Sequence, residues 1–154
     1  MTTKVKVFEL FHGACLTRLI RRDKPLTMRL IEVDSTQSWS TYRVNDVDLF
    51  IKHCANPRRL KTGRTSWTFP FGDNQIERIM KGCHVALICG AERVKDHMEI
   101  CFIEHESVGR LLADSAKSIT VSMQANQSFR VKSAAVSEKM VISRSAIDTF
   151  EVPA

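Results

Sequence analysis

The sequence has no run of about eighteen apolar residues, so it offers no ordinary membrane-spanning helix. Its first residues, MTTKVKVFEL, alternate charge with apolar side chains and lack a signal-peptide core. No membrane partner is expected. There is no CxxC pair. The five cysteines, Cys15, Cys54, Cys83, Cys89 and Cys101, are odd in number and read as reduced thiols of a cytoplasmic protein, several of them buried as small hydrophobes. No GxSxG elbow, dinucleotide fingerprint or GxxxxGK loop is present, which disfavours the common hydrolase and nucleotide-cofactor enzymes. The segment KTGRTS around Gly63 lacks the preceding strand and first glycine that a phosphate loop needs. Six glycines and four prolines are too few for long disordered linkers, and no repeat or low-complexity stretch occurs.

What the 154 residues do contain is an ordinary globular composition, 44% hydrophobic and 26% charged. That length suits one compact domain over 1–154, with 118–154 as a candidate small β subdomain. The formal charge is +6 and the isoelectric point near 9.3, which favours anionic partners such as nucleic acid. The excess is concentrated. From Lys52 to Gly72 there are five cations, Lys52, Arg58, Arg59, Lys61 and Arg64, and no Asp or Glu.

Periodicity sets the expected elements. Lys4 to Phe11 alternates as a strand, although Phe11, Ala14 and Cys15 also fit a helix. Arg21 to Pro25 and Asp34 to Ser38 are turns around a strand at Leu26–Val33, and Ser38–Val44 is the next strand, so an antiparallel meander is expected. Asn45 is read as a helix cap, with Val47, Phe50, Ile51 and Cys54 as the apolar stripe and Asn56-Pro57 as the stop. Ser66–Phe71 is a strand, and a helix after Gly72-Asp73 ends at Gly82. Cys83–Cys89 reads as a central strand. Ala91 to His97 is a charged loop, and Met98–Ile103 is its hairpin partner. A third helix runs from Ser107 to about Ser115. The tail returns to strands at Ile119–Met123, Phe129–Ala134 and Met140–Ser143, with a short turn or helix at Ala146–Phe150. The fold class is α+β: a mixed, mainly antiparallel sheet with about three helices and a strand-rich C-terminal third.

The basic segment is the leading candidate site. Arg58 and Arg59 can fork onto phosphate oxygens, Lys61 and Arg64 add charge, and Gly63 permits close backbone approach. Trp67 could stack on a base, which fits single-stranded, flipped or looped nucleotides of DNA or RNA. The competing reading is a solvated loop followed by a strand whose Trp67 is core.

Three further patterns compete. Glu32 and Asp34, two apart, with Asp48 nearby in sequence, are the catalytic candidates for a nuclease; only on that reading is a cofactor, Mg²⁺, expected. Asp46, Glu99 and Glu104 are further carboxylates in reach of such a cluster. His53-Cys54, Cys83-His84, Cys89, His97, Cys101 and His105 could supply a zinc site, but adjacent strand residues face opposite ways, and Cys83 and Cys89 share a face with Val85 and Leu87 as in a core. His12 and Cys15 are close enough in sequence to suggest an activated thiol.

The expected function is therefore nucleic-acid or other polyanion binding through the basic loop, without catalysis. A metal-dependent nuclease is one alternative. A protein-interaction or assembly module is another, forming a homodimer through C-terminal strands near Ser137–Ser145. A small anionic ligand near Arg58 is a third.

Overall fold

Asn45 turns the chain rather than opening a helix. In the computed structural model, which describes residues 7–22, 26–34, 39–91 and 98–152, it holds φ at +52°. It stands in a two-residue turn that pairs Val44 with Val47. Asparagine tolerates this left-handed conformation better than most residues, and such turns join hairpin strands. The Asn45 side chain also accepts the Thr27 N–H at 2.8 Å, while its own N–H donates to the Thr27 carbonyl at 2.7 Å. The expected helix over Val47 to Cys54 is thus a strand. Its run Leu49-Phe50-Ile51 is buried on both faces, and a two-sided apolar run shows the same spacing of three and four as a helix stripe.

The N-terminal segment departs from expectation in the other direction. The described part of the expected Lys4–Phe11 strand lies in helix α1, Val7–Ile20. Phe11, Cys15 and Leu19 recur every four residues and are fully buried along one side of it. Lys4 to Lys6 lie outside the described residues, as do parts of three expected turns or loops (23–25, 35–38 and 92–97).

After α1 come β1 (Met28–Val33), β2 (Trp39–Val44), β3 (Val47–Cys54), β4 (Arg58–Arg59) and β5 (Thr65–Pro70). Helix α2 (Asp73–Met80) then leads to β6 (Cys83–Cys89) and β7 (Glu99–Ile103). Helix α3 (His105–Leu111), β8 (Ser118–Met123), β9 (Phe129–Lys132), β10 (Met140–Ile142) and α4 (Ala146–Thr149) complete the chain. The fold is mixed α+β and mainly antiparallel, with a strand-rich C-terminal third.

The strands form two five-stranded sheets rather than one. Sheet A has the order β1-β2-β3-β6-β7 and sheet B the order β10-β9-β8-β5-β4. The expected meander is present as β1-β2-β3. The β3–β6 pair is parallel, while every other pairing is antiparallel. A parallel pair needs a crossover, and here the crossover runs through β4, β5 and α2. It thereby seeds sheet B before the chain returns to sheet A. Strand β8 pairs along the whole of β5, from Thr65 opposite Met123 to Pro70 opposite Ser118. The C-terminal strands are thus built onto the middle of the chain.

Sheet A is covered on both faces, which explains its long apolar runs. Phe50, Val85, Leu87, Cys89, Cys101 and Ile103 meet Trp67, Phe69, Val121, Phe129 and Val131 of sheet B in the larger core. Leu49, Ile51, Ala86, Ile88 and Phe102 meet Phe11, Cys15 and Leu19 of α1 and Ile147 beside them. Helix α2 places Ile79 in the larger core, and α3 adds Val108 and Leu111. Gly82, at φ +126°, lets the chain leave α2 and enter β6 directly. No described helix is long and apolar enough to cross a membrane.

Candidate functional site

The basic segment folds as a hairpin. Arg58 pairs with Ser66 and Arg59 with Thr65. Its turn is closed by Leu60 N–H to the Arg64 carbonyl at 2.8 Å and by Gly63 N–H to the Leu60 carbonyl at 3.0 Å. Gly63 holds φ at +85°, a conformation costly for any residue with a Cβ. Gln124 of the adjoining β8 segment donates to the Thr62 carbonyl at 3.4 Å, fixing the tip to the sheet. Arg58, Arg59 and Lys61 are exposed. Arg64 is half-buried, and its Nε and one Nη are enclosed without an acceptor among the described residues.

Two residues expected here are withdrawn from the surface. Lys52 is buried, with Nζ donating to the Pro70 carbonyl and, at 2.8 Å, to Gln75 Oε1, and lying 4.8 Å from the centre of the Phe71 ring. Burial pulls its pKa down to about 8, against the opposing pull of Asp34. Trp67 is 5% exposed. Its indole N–H donates to the Gly90 carbonyl at 2.7 Å. Almost no ring surface is left for a base, so the stacking role expected of it gives way to a core position.

The structure extends the basic surface to residues that the local sequence did not mark. Directly paired residues of an antiparallel sheet share a face. Pairing across sheet B therefore builds one outward row, Arg58–Ser66–Ser122–Arg130–Val141, and beside it Thr68–Thr120–Lys132. The inward row Trp67–Val121–Val131–Met140 belongs to, or packs against, the larger core. Arg64 falls on the outward side by the same alternation, since Thr65 and Trp67 face in. No strand of sheet B carries an Asp or Glu, whereas Glu32, Asp48 and Glu99 all lie on sheet A. Among the described residues, Arg58, Arg64, Arg130 and Lys132 make no ion pair. Glu138 breaks this pattern, sharing a groove of about 370 Å³ with Lys132 and Thr120. The missed signal was the alternation Phe129-Arg130-Val131-Lys132, apolar in and cationic out.

The carboxylates do not gather beside the hairpin. Asp48 is the second residue of β3, at the far end of that strand from the hairpin. Its two oxygens accept from Arg43 Nε at 3.0 Å and Arg78 Nη2 at 3.3 Å. Burial alone would raise its pKa, but these two guanidinium groups outweigh it and hold the carboxyl below its ordinary value. Glu32 is exposed on β1, and Asp34 follows that strand. Among the described residues no three His, Cys, Asp or Glu side chains converge as a metal site would require. Cys83, Cys89 and Cys101 are packed in the larger core, as the strand pattern suggested for Cys83 and Cys89. His97 lies outside the described residues.

His12 and Cys15 are both on α1, yet they make no activated pair. Burial pushes the Cys15 thiol up to about 12. The His12 ring instead bridges Ser40 Oγ at 2.6 Å and His53 Nδ1 at 3.1 Å. His12 is 1% exposed and Ser40 fully buried, so the arrangement is a polar link tying α1 to sheet A. Burial, reinforced by His53, lowers the pKa of His12 to about 3. The ring is therefore neutral at ordinary pH.

The chain matches no protein-family model, no curated protein and no solved structure.

Proposed function

We propose that this protein binds nucleic acid through its phosphate backbone, across the outer face of sheet B and the β4–β5 hairpin. The observation that carries the reading is the set of four cations, Arg58, Arg64, Arg130 and Lys132, sharing one sheet face whose strands contain no acid.

The face also constrains the kind of contact. Its outward positions carry hydroxyls, cations and the apolar Val141 but no aromatic ring, so bases have nothing to stack on. Arg58 and Arg130 are three strand spacings apart, about 14 Å at about 4.8 Å each, close to the width of a B-DNA major groove, about 12 Å. Backbone contact with a duplex, indifferent to sequence, fits these features best. A nuclease reading finds less support, because both oxygens of Asp48 are already held by guanidinium groups.

The test is titration of labelled duplex and single-stranded DNA and RNA with the wild-type chain and with Arg130→Gln/Lys132→Gln. Both positions are exposed and outward, so the fold should be retained. Binding weakened by the double substitution is expected, and binding that ignores it would overturn the reading.

One observation favours a second reading, assembly through β10. That strand ends sheet B, and its Val141 is 71% exposed. An open, apolar edge invites another strand.

A further inference from the structure

Between the two sheets, where β3 and β6 end, lies a crevice of about 230 Å³. It is separate from the outer face of sheet B. Arg59, which pairs with Thr65, points to the inner side and lines it, whereas Arg58 points out.

The walls are fixed by hydrogen bonds. Trp67 is held by the Gly90 carbonyl at 2.7 Å, and the Gly90 N–H donates to the Cys54 carbonyl at 2.9 Å. Across the mouth, Arg144 Nε donates to Glu99 Oε1 at 3.0 Å. A site that is already ordered loses little entropy when it fills.

Its chemistry is that of an amphiphilic ligand. Pro57, Met123 and the small accessible part of Trp67 make an apolar side. On the polar side Arg144 is neutralised by Glu99, while Arg59 has no acidic partner among the described residues. Among the described lining residues one positive charge is left over. The volume falls below the range of about 300–1,000 Å³ typical of drug-sized ligands, and a duplex cannot enter it.

We propose that the crevice binds a small organic anion, a single ring bearing one carboxylate or phosphate. The ring lies against Met123, Pro57 and the margin of Trp67, and the anionic group meets Arg59. This site does not depend on nucleic-acid binding, because Arg59 lies on the other side of the sheet from Arg130 and Lys132.

The experiment follows the two indole N–H signals of the intact, isotope-labelled protein by NMR during titration with phenyl phosphate, benzoate and neutral benzyl alcohol. A Trp67→Phe variant assigns the signals. The expected result is a saturable shift of the Trp67 signal with at least one of the anions, at least tenfold weaker in Arg59→Gln. Benzyl alcohol at the same concentration should not produce it, nor should the Trp39 signal move, since Trp39 does not line the crevice. A response to only one anion identifies the head group. No saturable shift with either anion, an equal shift with benzyl alcohol, or an unchanged affinity in Arg59→Gln would overturn the proposal.

Discussion

The indole N–H of Trp67 donates to the carbonyl of Gly90 at 2.7 Å, joining sheet B to the end of sheet A. A buried bond of this kind contributes about 0.5–1.5 kcal/mol net, and leaving one partner unsatisfied costs about 1–3 kcal/mol. Trp67→Phe should therefore lower stability by about 1–3 kcal/mol. Denaturant unfolding should show a lower midpoint with an unchanged slope, and an unchanged midpoint would mean that the bond contributes nothing.

Gly90 itself admits no side chain. A Cβ there would stand 2.3 Å from Phe11 Cε1 and 2.8 Å from its Cζ. Phe11 is fully buried and stacked on His53 with ring centroids 4.7 Å apart, so it has little room to give way. Gly90→Ala should cost about 1–3 kcal/mol by overpacking, read as a lower thermal midpoint. Stability equal to wild type would show that the α1 packing is looser than described.

The buried His12 predicts a dependence of stability on pH. Its pKa is about 3 in the fold, against 6.5 for the unperturbed side chain. Between these values the unfolded chain takes up a proton that the folded chain refuses, so stability falls as pH drops from about 6.5 towards 3. Each unit of depression is worth about 1.4 kcal/mol. Unfolding curves collected across this range should slope less steeply in His12→Asn than in wild type. Identical slopes would show that His12 is not kept neutral.

Much of this architecture was readable from alternation. Strands β5, β8 and β9 show inward apolar positions, the Cys83–Cys89 strand shows a continuous apolar run instead, and Trp67 had a core reading from the start. Where the pattern misled, the cause was physical. Leu49-Phe50-Ile51 is buried on both faces, and such a run does not distinguish strand from helix. Val7 to Phe11 was short enough to fit either period. The division into two sheets was not legible, because it depends on which strands pair, and pairing partners are far apart in sequence. The same holds for the crevice, where Arg59, Glu99 and Arg144 meet only in the fold. Arg130 and Lys132 were legible in principle, from cations at alternate positions of a strand.

The open edge at β10 makes its own prediction about size. A dimer paired through β10 should persist when salt is raised, and Val141→Lys should return it to monomer by placing a charge on the edge. Sedimentation at low and high salt checks both. A monomer in both conditions would remove the assembly reading and leave nucleic-acid binding untouched.

The most direct measurement is the salt dependence of duplex DNA binding. Four phosphate contacts, one each from Arg58, Arg64, Arg130 and Lys132, give a slope of log affinity against log salt of about −3.6, or roughly a hundredfold loss between about 50 and about 200 mM salt. Each cation replaced by glutamine should reduce the slope by about 0.9. That stepwise reduction is the predicted result. No duplex binding at low salt, or a slope unchanged in Arg130→Gln/Lys132→Gln, would contradict the assignment of this sheet face.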